Sequence, residues 1–124
     1  WAVVGLSANT GRTAYRISGW LNEQLHHTII PVHPKVETVF GQEGYASLAD
    51  IPDGTRVEVV DCFVRSELVG DVVDMAIDEK DRLGIELVWL QLGVVDEHAA
   101  GRALAAGLEV VMDTCPKIEY PKIA

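Results

Sequence analysis

One stretch near the start of the chain decides the fold: Val3-Val4-Gly5-Leu6-Ser7-Ala8-Asn9-Thr10-Gly11-Arg12-Thr13-Ala14-Tyr15-Arg16. An apolar run ends at Gly5, small and polar residues follow, and apolar residues at helical spacing begin at Tyr15. This pattern predicts a strand, a tight turn and a helix. The first N–H groups of a helix have no partner within it, and the helix dipole favours negative charge there, so such a turn suits a phosphate group.

The residue types of this turn also suit a bound anion. Its glycines let the backbone approach a ligand closely, its polar side chains can donate hydrogen bonds, and Arg12 supplies a permanent positive charge. The glycine spacing matches neither the Rossmann G-x-G-x-x-G motif nor the Walker motif, so an ordinary turn remains the alternative. The predicted phosphate-binding residues are Gly5, Ser7, Ala8, Asn9, Thr10, Gly11 and Arg12.

The composition is that of one folded, soluble domain. The chain has 124 residues, of which 48% are hydrophobic and 23% are charged, enough to bury a sizeable core. No apolar run approaches the roughly 20 residues of a membrane span, and no signal-peptide pattern is visible. We therefore expect a single cytoplasmic domain over residues 1–124, with no membrane partner. The abrupt start at Trp1, inside an apolar run, leaves open that preceding residues are missing and carry a targeting segment.

The charge balance restricts the partners. A net charge of −9 argues against nucleic acid, because that binding relies on a basic surface. Salt screens charges over about 8 Å, so a local group of basic side chains can still hold an anion. The two cysteines, Cys62 and Cys115, are too few for a disulfide framework and form no C-x-x-C pair, so we expect no metal site.

Strand-like and helix-like patterns alternate along the rest of the chain. Apolar and β-branched runs predict strands over residues 1–6, 27–33, 57–63, 85–90 and 108–112. Amphipathic spacing predicts helices over residues 12–26, 66–84 and 97–106. Ser66 and Asp96 are the predicted N-caps of the last two helices, and Gly107 is the predicted left-handed residue after the third. Residues 36–54 are expected to be irregular apart from one helical turn, and the tail over 113–124 need not be regular.

Strands that alternate with helices, through connections too long for hairpins, predict an α/β fold. We expect a three-layer, Rossmann-like, doubly wound domain with a five-stranded, mainly parallel sheet. In such folds, ligands lie outside the carboxyl ends of the strands, where the strand order reverses. The site should therefore be built by the residues that follow each strand, which are 7–12, 33–35, 63–65, 91–93 and 113–115.

Three of these segments carry a cation, Arg12, Lys35 and Arg65, which in so acidic a chain favours an anion site. A fold that binds NAD places Asp or Glu about 20 residues after its glycines, to hold the ribose 2′-hydroxyl. In that region this chain has His33 and Lys35. A ribose that carries a phosphate is therefore expected, and both NADP and the 3′-phosphate of coenzyme A provide one.

A set of segments across the chain resembles the small stand-alone CoA-binding proteins, which are related to the N-terminal domain of the succinyl-CoA synthetase α subunit. The similarity covers essentially the whole chain, in the same order. The segments that carry it are Val3-Val4-Gly5-Leu6-Ser7 with Arg12, Ile30-Pro31-Val32-His33-Pro34, Ser47-Leu48-Ala49-Asp50-Ile51-Pro52, Val60-Asp61-Cys62-Phe63, Trp89-Leu90-Gln91-Leu92-Gly93-Val94 and Gly107-Leu108-Glu109-Val110-Val111-Met112-Asp113-Thr114-Cys115-Pro116-Lys117-Ile118-Glu119.

The resemblance implies a Rossmann-type fold with coenzyme A laid across the carboxyl ends of the strands. The turn after the first strand would hold phosphates, Lys35 would meet the 3′-phosphate, and the segment around Phe63 would line the nucleotide. Gln91 and its neighbours would face the pantetheine arm. Beyond the turn, the implied binding residues are His33, Pro34, Lys35, Phe63, Arg65, Gln91 and Gly93.

Three positions depart from the family pattern. His33 stands in place of a frequent Asn, Val64 in place of an Arg directly after the Phe of the third strand, and Thr114 in place of an Arg before the last cysteine. The loss of an arginine that contacts an anion would weaken anion binding. Cys115 could approach the thiol end of the ligand and form a mixed disulfide, with a role as a small buried hydrophobic residue as the alternative.

We expect a protein that binds coenzyme A or an acyl-CoA and is not catalytic by itself. No Ser or Cys is paired with His in a recognisable catalytic motif, so no catalytic residue is assigned. The phosphorylated histidine of the synthetase relatives lies in a second domain, outside the similarity. The alternatives are an NADP-dependent oxidoreductase and an interaction module whose nucleotide site has decayed.

Overall fold

Five strands and three α-helices alternate along residues 1–115, the part of the chain that the computed structural model describes. The strands are β1 (Ala2–Val4), β2 (Ile30–Val32), β3 (Val59–Cys62), β4 (Leu87–Leu90) and β5 (Glu109–Val111). The helices are α1 (Thr13–Gln24), α2 (Ser66–Leu83) and α3 (Glu97–Ala105). Each predicted element is present, with strands shorter than predicted. Most of the predicted irregular tail, residues 116–124, lies outside the described residues.

The strands form a parallel sheet in the order β2-β1-β3-β4-β5. The chain runs from β1 outward to β2 and then returns past β1 to β3, so the winding direction reverses between β1 and β3. A crevice at such a reversal is where doubly wound sheets bind ligands. The predicted fold class, α/β with a doubly wound sheet, is confirmed.

Helices cover both faces of the sheet because strand side chains point alternately to one face and the other. Ala2 and Val60 are fully buried in the core that includes residues of α2 and α3. Val3 lies in a second core with Ala14 and Leu21 of α1. Each fully buried Val or Leu contributes about 1.5–3 kcal/mol, so the two cores hold the three layers together.

The outer strand β2 accommodates a proline. Pro31 has no N–H group to donate, and its carbonyl oxygen accepts a hydrogen bond from the Tyr45 N–H at 3.0 Å. The His33 N–H donates in turn to the Tyr45 carbonyl at 2.9 Å. These bonds tie the end of β2 to the segment around Tyr45.

The connection between β2 and β3 contains the predicted helical turn, as a 3-10 helix over Leu48–Asp50. Arg82 of α2 holds this turn, since its guanidinium donates to the carbonyl of Leu48 at 3.1 Å and pairs with Asp53 at 3.1 Å. One arginine therefore anchors the irregular connection to a regular element.

The helix ends match the sequence signals in part. Asp96 caps α3 as predicted, because its Oδ1 accepts a hydrogen bond from the Ala99 N–H at 3.0 Å. The prediction that Ser66 caps α2 is wrong, since Arg65 is the N-cap residue and Ser66 is the first helical residue. The Ser66 hydroxyl instead accepts from the Val95 N–H at 3.0 Å and ties α2 to the segment before α3. Among residues 1–115, no helix combines the length and the apolar character needed to cross a membrane.

Candidate functional site

A groove of about 1150 Å³ lies at the carboxyl ends of the strands. Its floor is at the reversal between β1 and β3, and the segments after all five strands contribute to its lining. Eight of the predicted site residues line it: Gly5, Gly11, Arg12, His33, Pro34, Phe63, Arg65 and Gln91. Parallel strands bring their carboxyl ends to one edge of the sheet, which explains why residues so distant in sequence meet there.

Gly5 forms part of the groove floor, where β1 and β3 approach each other closely. It has a φ of +100°, and a Cβ atom at this position would stand 2.3 Å from the carbonyl oxygen of Phe63. The Gly5 N–H donates to Val32 at 2.8 Å, and the Phe63 N–H donates to Val4 at 2.8 Å. Only glycine meets both the conformation and the space, so Gly5 permits the close approach of β1 and β3, and its predicted approach to a ligand stays a prediction.

The turn after Gly5 satisfies much of its own backbone. The Ser7 hydroxyl accepts from the Asn9 N–H at 3.3 Å, and the Asn9 side-chain oxygen accepts from the Gly11 N–H at 3.1 Å. The carboxylate of Glu37 accepts from the Ala8 N–H at 3.4 Å. Ser7 and Asn9 therefore accept hydrogen bonds that hold the turn, where the sequence suggested that they donate to a ligand.

The start of α1 is the part of this turn that is open to an anion. Arg12 occupies the N-cap position without a side-chain cap, and the first turn of α1 contains no acidic residue. Thr13 and Ala14, the first helical residues, line the groove together with Arg12. The Arg12 guanidinium forms no ion pair within residues 1–115 and adds a positive charge to the helix N-terminus.

The segment after β2 forms one wall of the groove. His33 and Pro34 line it, and the Nδ1 of His33 accepts a hydrogen bond from the Lys35 N–H at 3.1 Å. An accepting Nδ1 leaves Nε2 as the N–H of the neutral ring, so His33 can donate from that atom. Lys35 itself is exposed and does not line the groove.

The segments after β3 and β4 supply both polar and charged groups. Arg65 lines the groove with an exposed side chain, 3.9 Å from the carboxylate of Glu67. Gln91 is 4% exposed and donates through its Nε2 to Oδ1 of Asp61. Asp61 is fully buried on β3, and burial raises the pKa of its carboxyl to about 7. An ionisable side chain thus stands directly behind a groove residue.

The remaining wall is apolar. Side chains from α2 and from the segment after β4 line it, including Leu68 and Leu92, which are 46% and 64% exposed. Cys115 also lines the groove, and its side chain is otherwise buried. Cys62 lies in the core, where burial raises the pKa of its thiol, so it cannot react with a groove ligand. Within residues 1–115, no group of three or more His, Cys, Asp or Glu side chains could hold a metal ion.

The other predicted site residues lie near the groove but do not form its lining. They are Ser7, Ala8, Asn9, Thr10, Lys35 and Gly93. Sequence reasoning missed Asp61, although a carboxylate inside an apolar strand was a visible signal. It also missed the apolar wall, because Leu68 was interpreted only as a residue at helical spacing.

The sequence profile of the CoA binding domain family matches residues 1–121. The chain belongs to this family. The position of the groove agrees with a CoA binding domain, because the groove opens where the winding of the sheet reverses. Membership in this family supports an association of the chain with coenzyme A in general.

Several proteins are similar to most of this CoA binding domain. The solved structure of a hypothetical protein from Pyrococcus horikoshii OT3 is 36% identical, with a TM-score of 0.85 over 98% of this chain and 80% of that one. The uncharacterised protein YneT of Bacillus subtilis is 32% identical over 119 residues, 96% of this chain and 83% of YneT. The ADP-forming 4-hydroxybutyrate–CoA ligase of Nitrosopumilus maritimus is 27% identical over 101 residues, which are 82% of this chain and 14% of the ligase.

Proposed function

We propose that this protein binds coenzyme A or an acyl-CoA in the groove and performs no catalysis by itself. The observation that carries the proposal is the convergence of all five strand ends on one groove, with the uncapped start of α1 and the unpaired Arg12 at its edge. The membership in the CoA binding domain family supports coenzyme A as the ligand.

The phosphates of the ligand would lie at the start of α1. The N–H groups of the first helical turn and the guanidinium of Arg12 are the donors there, and anions gain from both the hydrogen bonds and the helix dipole. Arg65 supplies a second positive charge in the groove lining. These local charges act against the repulsion from a molecule with a net charge of −9.

The arm of the ligand would lie along the apolar wall toward Gln91 and Cys115. Leu68 and Leu92 offer exposed apolar surface for an aliphatic chain, and Gln91 offers a polar side chain for an amide. The proposal also includes predicted contacts with the ligand by residues near the groove lining, which are Ser7, Ala8, Asn9, Thr10, Lys35 and Gly93. In this arrangement, the backbone atoms of the turn and the Lys35 ammonium approach the ligand from the rim.

The groups around the groove support the proposed role without catalysis. Within the described residues, Cys115 is the thiol in the groove and His33 the imidazole, and His33 Nδ1 is engaged by the Lys35 N–H. An activated nucleophile needs a base within hydrogen-bond reach, and no hydrogen bond joins this pair among residues 1–115. The protein would therefore act as a carrier, a sensor or an accessory subunit.

Calorimetric titration with coenzyme A tests the proposal. We expect Arg12→Ala to weaken binding about tenfold, the effect of one charge-assisted contact. Arg16→Ala is the matched control, because Arg16 is an exposed arginine one turn further along α1 and does not line the groove. Equal losses in both variants, or no binding by the wild type, would contradict the proposal.

Dephospho-CoA and NADP distinguish the alternatives. If Lys35 meets the 3′-phosphate, wild-type protein should bind dephospho-CoA more weakly than coenzyme A, and Lys35→Ala should remove that difference. Tighter binding of NADP than of coenzyme A would favour the oxidoreductase. Indifference to every nucleotide would favour an interaction module with a decayed site.

A further inference from the structure

Asp61 is a buried carboxylate to which the proposed binding mode gives no role. It lies on β3 between Val3 of β1 and Trp89 of β4, and it is fully buried. A carboxylate in an apolar sheet is costly unless it is hydrogen-bonded. Its Oδ1 accepts from Gln91, whereas its Oδ2 has no hydrogen-bond partner within residues 1–115. The fold therefore retains a carboxylate whose burial costs free energy. Its hydrogen-bond partner within residues 1–115 is Gln91 of the groove lining.

The contact decides which end of the Gln91 amide faces Asp61. Asp61 on β3 and Gln91, the residue directly after β4, point to the same face of the sheet, since Asp61 is paired with Trp89, two residues before Gln91. An ionised carboxylate can only accept hydrogen bonds, so it takes the Nε2 end of the amide. The Oε1 end of Gln91 has no donor among residues 1–115 and is left to the groove.

We propose that Asp61 is a positioning residue that fixes the Gln91 amide so that it offers a hydrogen-bond acceptor to an amide N–H of the bound ligand. This inference rests on the proposed function, because the pantetheine arm of coenzyme A supplies such N–H groups. The groove then presents donors at Arg12 and α1 and an acceptor at Gln91. A ligand with phosphates at one end and amides along its arm complements both.

The inference predicts that loss of the Asp61 carboxylate lowers the affinity for coenzyme A and leaves the affinity for its nucleotide part unchanged. Adenosine 3′,5′-bisphosphate has the ribose and phosphates of coenzyme A but no pantetheine arm. Asp61→Asn keeps the shape of the side chain and presents both a donor and an acceptor, so it no longer selects one orientation of Gln91. We expect this variant to bind coenzyme A about threefold to tenfold more weakly, the value of one neutral hydrogen bond, and the bisphosphate unchanged.

The titrations are run at about pH 8.5, where the carboxylate of the wild type is ionised. Gln91→Leu should show the same selective loss, and Asp61→Asn should add no further loss in the Gln91→Leu background, because both act through one side chain. Should Asp61→Asn fail to fold, Asp61→Ser, which also removes the carboxylate that accepts from Gln91, replaces it in the same titrations. Val88→Ala is the control for destabilisation, since Val88 is buried on β4 and does not line the groove.

Each outcome has one reading. Loss of coenzyme A affinity with unchanged bisphosphate affinity supports the inference. Equal loss for both ligands, or no loss for either, overturns it while leaving the proposed function intact. A wild-type protein that binds neither ligand overturns the proposed function and this inference together.

Discussion

Single residues determine how closely the two halves of the sheet approach at the groove. Gly5 is the clearest case, because a side chain there would overlap the backbone carbonyl of Phe63. Asp61 affects the groove in another way, because its hydrogen-bond partner among residues 1–115 is the groove residue Gln91. These positions affect both the stability of the fold and the shape of the site, and a substitution separates the two effects only with a matched control.

We expect Gly5→Ala to be severely destabilising. Gly41 provides the control, since it also has a positive φ, of +75°, but no atom of residues 1–115 lies within 4 Å of a Cβ built there. Gly41→Ala should cost about 1–2 kcal/mol in free energy of unfolding from the left-handed conformation alone. Gly5→Ala should cost about 3 kcal/mol or more, because the backbone of β3 must also shift. Urea unfolding measures both, and equal costs would show that the overlap relaxes without penalty.

Glu37 places a negative charge beside the phosphate-binding turn. Its carboxylate accepts from the Ala8 N–H at 3.4 Å. We expect Glu37→Gln to tighten coenzyme A binding about twofold to fivefold, because a carboxylate near an anion site opposes the ligand. Glu43→Gln removes the same charge from an exposed position in the same connection and should leave the affinity unchanged. Identical effects of the two substitutions would assign the change to net charge instead.

At the scale of elements, the N-termini of α1 and α3 differ in their capping and charge. The α3 N-terminus is closed by Asp96 and carries Glu97 in its first turn, whereas the α1 N-terminus has neither kind of group. Periodicity and composition predicted each helix and strand, because those signals are local. The contact of Ser66 with the segment before α3 was not predictable. Its hydroxyl accepts from the Val95 N–H, and these two residues are close only in the folded chain.

The N-cap of α3 should make a measurable contribution to the free energy of unfolding. We expect Asp96→Ala to lower the free energy of unfolding by about 1 kcal/mol, because the Ala99 N–H loses its acceptor. Asp81→Ala also removes one carboxylate, but from a fully exposed side chain on α2, and should change stability by less than about 0.5 kcal/mol. Chemical unfolding of both variants at neutral pH measures the difference. A similar loss in both would contradict the assigned cap.

For the whole molecule, the sequence was sufficient to predict the layers and the edge of the sheet that carries the groove. Alternation of strands and helices implies a parallel sheet, and a parallel sheet gathers its carboxyl ends. What the sequence could not supply was the direction of individual side chains. Lys35 follows β2 as expected yet stands outside the groove lining, and Gln91, which donates to Asp61, lies in the segment after β4. Such pairings depend on register between distant segments.

Asp61 also makes the stability of the whole molecule depend on pH. Burial raises the pKa of its carboxyl from 3.8 to about 7 in the folded protein, so the folded state holds this proton more tightly than the unfolded state. The stabilisation is fully present below about pH 4 and is lost as the pH rises through about 7, by an amount on the order of 4 kcal/mol at most. Asp61→Asn lacks this dependence.

The difference in free energy of unfolding between Asp61→Asn and the wild type should therefore grow between about pH 4 and pH 7 and stay level above that range. Urea unfolding across this range measures it, and the comparison removes the contribution of the other carboxylates. A difference that is constant with pH would mean that Asp61 is ionised in the folded protein throughout.

The close approach of Gly5 to the Phe63 carbonyl means that main chain forms part of the base of the groove. Substitutions at the rim then leave that base untouched. Over evolutionary time, such a scaffold can exchange the groups that recognise one acyl chain or nucleotide for another while it keeps the same folding determinants. A redesign of ligand preference should accordingly begin with the outer residues Leu68, Leu92 and Arg65.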